Sequence, residues 1–324
     1  MSRVLLTGGA GFIGGVVARQ LCEGGDSVVA VVRDPSQAAA LSALGVELVA
    51  GDLASVDALV AAMADVEAVI HAAGQYRVGI PASERPAMLD ANEGTTRRVL
   101  AAAARVGVAR TVVVSTVNVF GDTRGAIVDE TFRRDLSRGF LTWYDETKYR
   151  AHLLAEAAIE AGQPVVIVQP CQVYGPGDHS SVGSQLAAAA AGRLKYRAFD
   201  TLGIAIAHVE DVAAGVVAAL DRGRLGESYV LAGPCLRFRE LTEAAARAGG
   251  VRAPRLVLPT AAIRLLSHMG PRIAEAAGSP PNVREVISAS DGVTYWATAA
   301  KAERELGFRA RTMDEGFAQV FGRG

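Results

Sequence analysis

The run LLTGGAGFIGG, residues 5–15, puts five glycines within eight positions (8, 9, 11, 14 and 15). Apolar Leu5 and Leu6 lead into it, so a strand pattern stops where a helical pattern starts. Glycine lacks the Cβ that keeps a backbone away from its neighbours. Two readings compete: a backbone that must come very close to a phosphate, and an ordinary tight turn. The rest of the chain decides between them.

Short β-branched runs at 4–7, 27–32, 47–50, 68–71, 111–115, 165–169 and 228–231 read as strands. Helical patterns at 14–22, 38–44, 56–64, 93–106, 144–161 and 209–220 separate them. This alternation predicts an α/β fold, a doubly wound parallel sheet. Many of the strands lack polar alternation, as expected when helices cover both faces. After about residue 170, Pro and Gly cluster at 175–177, 233–234 and 278–281. A smaller, mixed C-terminal lobe is predicted there. The expected division is 1–169 for the sheet domain, with 204–232 returning to it. Residues 170–203 and 233–324 then form the substrate-binding lobe. Ligands in such sheets bind beyond the carboxyl ends of the strands, so the site is expected in a cleft between the lobes.

Composition narrows the function classes. The 324 residues are 50% hydrophobic and 21% charged, with a formal net charge of −1. No long basic stripe occurs, so nucleic acid is not an expected partner. Three cysteines, Cys22, Cys171 and Cys235, lie far apart. That sparse, odd count fits a reducing compartment and a cytoplasmic location. Without CxxC or HExxH, no metal site is expected. The most apolar windows are rich in alanine and broken by Arg, Lys or Glu, too short for a membrane span. Residues 263–276 can form an amphipathic helix carrying Arg264, His268, Arg272 and Glu275. A solvated face on a packed helix is the expectation, not membrane docking.

Gly9-x-Gly11-x-x-Gly14 matches a dinucleotide-binding fingerprint, and Thr7-Gly8-x-x-Gly11-x-x-Gly14 matches a second version. The helix that follows offers free N-terminal amides to a pyrophosphate. Its position, after a strand and before a helix, favours the phosphate reading. The second strand ends in Val32-Arg33-Asp34, with Arg33 19 positions beyond Gly14. An acidic tip selects NAD through the ribose 2′-hydroxyl, and an arginine suits the 2′-phosphate of NADP. Arg33 therefore favours NADP(H) over NAD(H), although Asp34 stands beside it. Asp52, followed by Leu53, is a candidate acceptor for the adenine amino group or, alternatively, a helix cap. His71, Ala72 and Ala73 end the fourth strand with little bulk, leaving room for a ribose. His71 alone reads equally as a satisfied core histidine.

Tyr144 and Lys148 stand at i, i+4, on one helix face. A nearby lysine cation, with a positive nicotinamide, would lower the phenol pKa from about 10 and let it exchange a proton near neutrality. At the end of the fifth strand, Thr116 is the first candidate to hold a substrate oxygen beside Tyr144, with Ser115 in reserve.

The set TGGAGFIG, GDL, HAAG, Asn92 in NEGTT, ST, YDETK, PCQVYGPGD and HVEDVAAG resembles the extended short-chain dehydrogenase/reductase family over essentially the whole chain. The resemblance implies a Rossmann domain, a nicotinamide cofactor and a Thr116–Tyr144–Lys148 triad. Thr116 would polarise substrate, Tyr144 act as acid/base, and Lys148 also bind the nicotinamide ribose. Gly8, Gly11, Phe12, Ile13 and Gly14 would line the pyrophosphate, and Pro170 and Val173 flank the nicotinamide. Dehydratases of the family carry Asp and Glu after the catalytic Thr; here Val117 and Asn118 stand there. Sugar-nucleotide epimerases usually carry an Arg near Ile204 for the diphosphate, and Arg193, Lys195 and Arg197 are the available substitutes. Val32-Arg33-Asp34-Pro35 and the C-terminal run from Asp200-Thr201 through Leu231-Ala232-Gly233 look like the dihydroflavonol-4-reductase-like branch. That branch implies reduction of a fairly apolar ketone or aldehyde, or the reverse. An epimerase with internally recycled NAD is the alternative, and a nicotinamide-binding module without chemistry the third. Gln75, Tyr76, Arg77, Asn118, Trp143 and Gln172 are candidate substrate contacts by position. The family also implies a homodimer through the helices at 93–106 and 144–161.

Overall fold

The protein was analysed as a computed structural model that describes residues 2–267 and 281–322. The chain runs through β1 (Arg3–Thr7), α1 (Phe12–Glu23), β2 (Ser27–Val32), α2 (Ala39–Ala43), β3 (Glu47–Ala50), α3 (Val56–Ala62) and β4 (Ala68–His71). It continues with α4 (Arg85–Leu89), α5 (Thr95–Val106), β5 (Arg110–Val114), α6 (Trp143–Glu160), β6 (Val165–Pro170), β7 (Gln172–Tyr174) and α7 (Ser181–Ala190). Next come β8 (Gly203–His208), α8 (Val209–Arg222), β9 (Ser228–Leu231), β10 (Cys235–Arg237), α9 (Phe238–Ala248) and α10 (Thr260–Ser267). The helix Val283–Ser290, β11 (Thr294–Tyr295) and the helices Ala300–Leu306 and Met313–Phe321 close the chain.

Seven strands form one sheet in the order β3-β2-β1-β4-β5-β6-β9, every neighbouring pair parallel. The order reverses between β1 and β4, which opens a crevice at their carboxyl ends. This is the doubly wound Rossmann-like sheet that the alternating pattern predicts. β4 and β6 are buried at every position, which explains why AVIH and VVIVQP show no polar alternation. Fully buried Leu5, Leu6, Ile70 and Ile167 each contribute about 1.5–3 kcal/mol of hydrophobic stabilisation.

The second sheet is small and mixed. β8 pairs antiparallel with β10 and parallel with both β7 and β11. Of the segment 204–232, α8 and β9 lie against the large sheet, while β8 belongs to the small one. These four short strands carry no clear alternation, and the sequence pattern did not mark them. Glu285, on Val283–Ser290, accepts the backbone N–H of Gly79 at 3.1 Å and that of Trp143. The C-terminal lobe is thereby tied to the loop after β4 and to the start of α6.

Among the described residues no helix is long and apolar enough to cross a membrane. Of the helix expected at 263–276, residues 263–267 belong to α10 and 268–276 lie outside the described residues, as do 278–280 of the last Pro/Gly cluster.

Candidate active site

The glycine loop closes on itself. Gly8 has φ +76°, in the left-handed region, and a Cβ there would stand 2.6 Å from the Ala73 nitrogen. A Cβ on Gly14 would stand 2.0 Å from the Gly8 carbonyl oxygen. Two glycines thus let β1, the end of β4 and the first turn of α1 meet. Gly11 caps α1 without any side-chain bond, so the first-turn amides at Phe12, Ile13 and Gly14 have no side-chain cap. That is a cradle for a phosphate, and the donor set fits a dinucleotide.

At the tip of β2, Asp34 is already occupied. Its carboxylate accepts the backbone N–H of Ser36 at 3.0 Å and the Ser36 hydroxyl at 2.7 Å. Arg33 is exposed, and no partner for it occurs among the described residues. Asp52 accepts the Ala54 N–H at 3.1 Å and is exposed, and the Leu53 carbonyl takes the Arg98 guanidinium. Pro170 and Val173 are buried where β6 passes into β7.

His71 requires a correction. Its ring is only 1% exposed, with Nδ1 bonded to the Thr7 hydroxyl at 2.7 Å and Nε2 to the Thr96 hydroxyl at 3.0 Å. Both nitrogens are used inside the core, so the ring has nothing left for a ribose. Burial, with Lys148 nearby, brings its pKa down to about 3. Between pH 6.5 and about 3 the unfolded chain therefore binds a proton that the folded chain refuses. Stability is expected to fall with falling pH in that window, by up to about 1.4 kcal/mol per pH unit from this group. Urea unfolding from pH 7 to 5 should show a shallower loss for His71→Gln than for the wild type; equal slopes would reject this account.

Thr116, Tyr144 and Lys148 meet at the carboxyl ends of β5 and β6. Thr116 caps the turn Val117–Phe120, and Thr142 caps α6 by accepting the Asp145 N–H at 2.9 Å. The Thr116 hydroxyl stands beside the Tyr144 phenol and lowers its pKa. Lys148 points its ammonium at the Val114 carbonyl, 2.9 Å away, and burial draws its pKa down to about 8. The phenol moves the other way. Burial first, then neighbouring Tyr76, push Tyr144 above its ordinary value, and the Thr116 hydroxyl only partly opposes this. In the protein alone Lys148 is not among the groups that shift the Tyr144 pKa; the expected lowering involves the nicotinamide as well. Ser115, the reserve hydroxyl, is bonded to His152 Nδ1 at 3.0 Å and is not free for a substrate.

Two groups carry no assigned role in the sequence. Residues Asp90–Gly94 form a π-helical turn, a widening often found at functional sites. It turns Asn92 inward, where Oδ1 accepts the Gln75 N–H at 2.8 Å and Nδ2 donates to Thr147 Oγ1 at 2.9 Å. The NEGTT stretch contained this residue, but nothing in its spacing announced the turn. Asp145, next to Tyr144, is 0% exposed, and its Oδ2 has no partner.

A cleft of about 570 Å³ opens beside these groups. Tyr76, Asn118, Asp145 and Gln172 line its inner end, and Phe199, Leu202, Ile204, Phe238, Val286 and Ala289 give it an apolar flank. Tyr76 packs edge-on against Tyr144, with centroids 4.7 Å apart. Gln75 binds Asn92 instead of lining the cleft. Trp143 lies outside it, between the Arg85 and Arg150 guanidinium groups. Arg77, at the wall, is paired with Glu84. Arg197 is held by Asp200 and Glu243, and Arg193 and Lys195 are exposed away from the lining. Among the described residues, no unpaired arginine or lysine lines the cleft.

A model of the NAD dependent epimerase/dehydratase family matches residues 4–232. A putative dihydroflavonol 4-reductase of Synechocystis is 28% identical over 321 residues, covering 97% of this chain and 92% of that protein. A 4-hydroxy-2-methyl-3-oxo-4-farnesyl-3,4-dihydroquinoline-1-oxide ketoreductase of Stigmatella aurantiaca is 30% identical, covering 95% and 92%. The crystal structure of gox2253 superimposes with a TM-score of 0.84 at 29% identity, covering 99% of this chain and 97% of that one. MoeE5, in complex with UDP-glucose and NAD, gives 0.76 at 26% identity, covering 98% and 97%. The chain belongs to the NAD dependent epimerase/dehydratase family of extended short-chain dehydrogenases/reductases.

Proposed function

We propose that the protein is an NAD(P)-dependent oxidoreductase that reduces an apolar ketone or aldehyde, or oxidises the corresponding alcohol. The observation that carries this reading is the meeting of Thr116, Tyr144 and Lys148 below a cleft with an apolar flank. Residues 1–169 with α8 and β9 bind the nucleotide on this reading, and the remaining lobe binds the substrate. Gly8, Gly11, Phe12, Ile13 and Gly14 hold the pyrophosphate. Ala72, Ala73, Asp52, Leu53, Pro170 and Val173 line the remainder of the nucleotide. When bound, the nicotinamide supplies or accepts the hydride.

Tyr144 then gives its proton to the carbonyl oxygen in reduction and takes it back in oxidation. Its raised pKa suits the acid role. Thr116 stabilises the phenolate left behind, and Lys148, held by the Val114 carbonyl, orients the ribose. The alternative epimerase needs grip on a diphosphate, which a bidentate arginine normally gives. Among the described residues the lining offers only paired Arg77, which weighs against that alternative.

NADP(H) is the proposed cofactor, because Arg33 is free and Asp34 is committed to its own turn. Arg33→Gln is expected to weaken NADPH binding by roughly tenfold to a hundredfold, the loss of one charge-assisted contact, with NADH little changed. Denaturing the purified protein and identifying the released nucleotide, followed by titration with NADPH and NADH, tests both points. Tightly held NAD would favour the epimerase and sink the role given to Arg33. Light scattering on the same sample reads the proposed homodimer through α5 and α6, for which exposed Leu153 on α6 is available; a monomer mass removes that part.

A further inference from the structure

The Thr116 hydroxyl has one proton and two claimants. A hydroxyl donates once and accepts twice. Thr116 Oγ1 accepts the Asn118 backbone N–H at 3.2 Å and donates to Asn118 Oδ1 at 3.3 Å. The Tyr144 phenol is its other neighbour. It cannot donate to Asn118 and to Tyr144 at once. The direction is set further along the chain of contacts. Asn118 Nδ2 donates to Asp145 Oδ1 at 3.0 Å. A carboxylate only accepts, so it forces the amide nitrogen toward itself and the amide oxygen toward Thr116.

We propose that Asp145 is a positioning residue for this reaction: by holding the Asn118 amide, it sets whether the single Thr116 proton points to Asn118 or to Tyr144. The proposal rests on the oxidoreductase reading for its consequence, though not for its geometry. While Tyr144 is protonated, the Thr116 proton rests on Asn118 Oδ1. When Tyr144 gives its proton to the substrate, the Thr116 proton swings to the phenolate and leaves Asn118 Oδ1 without a donor. The grip of Asp145 makes that swing harder and so favours the neutral phenol, the form that reduction uses.

The surroundings keep Asp145 in this role. It is fully buried, which raises its pKa to about 6. The bonds from Asn118 and Thr142, and Arg134 nearby, act in the opposite direction, while Glu285 adds to the rise. Tyr76, Tyr144 and Tyr295 also face it. At neutral pH the group is therefore an anion with Oδ2 unpartnered. An aspartate one residue beyond the acid/base tyrosine thus controls the hydroxyl across the site through the side chain of Asn118, at a position where dehydratases of the family carry a carboxylate.

A double-mutant cycle tests this. With an alcohol found in the carbonyl screen, the pH midpoint of kcat/KM for oxidation is measured for the wild type, Asp145→Asn, Asn118→Leu and the double variant. Both single variants are expected to move the midpoint down by about one pH unit. The double variant should move little further, because Asn118→Leu has already freed the Thr116 proton. If Asp145→Asn shifts the midpoint as much without Asn118 as with it, the carboxylate acts only through its charge, and the proposal fails. It also fails if Asn118→Leu, which keeps the carboxylate, leaves the midpoint unmoved. A substrate-free readout separates this failure from failure of the oxidoreductase reading. In protein labelled at asparagine nitrogen, the cross-peak between the Asn118 side-chain amide protons and the Thr116 methyl should be weak in the wild type and strong in Asp145→Asn. An unchanged cross-peak overturns the proposal even if no substrate is turned over.

Discussion

Tyr144→Phe is expected to lower turnover by about 10³-fold while NADPH binding stays within about threefold. The substitution removes one oxygen and keeps the ring. The edge-on contact with Tyr76 and the packing against Ile80 and Met88 therefore survive. The oxygen removed is the one that stands beside Thr116. On the proposed reading, nucleotide binding depends on the glycine loop and Arg33, at the ends of β1 and β2. Turnover and a fluorescence titration with NADPH, run on the same preparation, separate the two effects. Retention of more than a tenth of wild-type turnover would mean that another group supplies the proton. Unchanged biological activity with no measurable turnover in either protein would support a binding module instead. Loss of NADPH binding would show that the variant is misfolded.

The large sheet was legible because its strands are buried on both faces. Val4 to Leu6, Val69 to Ile70 and Val165 to Val168 have no polar interruption, and helical periods separate them. The small sheet was not legible, because β7, β10 and β11 are two or three residues long and are set by tertiary pairing to β8. The site divides in the same way. Gly8 and Gly14 announced themselves, since only the lack of a Cβ satisfies their contacts. Tyr144 and Lys148 shared a helix face, and the spacing gave it. What spacing cannot give is the direction of a side chain inside the core. His71 turns both nitrogens to threonines, Lys148 turns to a carbonyl, and Ser115 turns away to His152. Asp145 had a further disguise: an acidic residue in a first helical turn ordinarily reads as a favourable partner for the helix dipole. Only its complete burial shows that it is something else.

Gly14→Ala is expected to destabilise the protein by about 2–4 kcal/mol and to weaken NADPH binding at least about tenfold. In an ordinary helix interior the same change gains about 1 kcal/mol, because glycine is the poorer helix former. Here the new methyl would stand 2.0 Å from the Gly8 oxygen and 2.7 Å from the Gly8 carbon. Both are backbone atoms, so neither can swing aside as a side chain can. Gly8 in turn is pressed against the backbone of Ala72 and Ala73. Relief would have to move β1 relative to β4, or lift the first turn of α1 away from the phosphate position. Gly15 supplies the internal control. It lies one residue on in the same helix, and its added Cβ would meet only the Gly9 oxygen at 3.4 Å, an ordinary contact. Gly15→Ala should therefore be neutral or mildly stabilising. Thermal unfolding of the two variants, with and without NADPH, makes the comparison. If both lose stability equally, the helix itself resists the methyl. If neither does, the close approach of Gly8 and Gly14 is not what shapes the loop, and the phosphate cradle needs another origin.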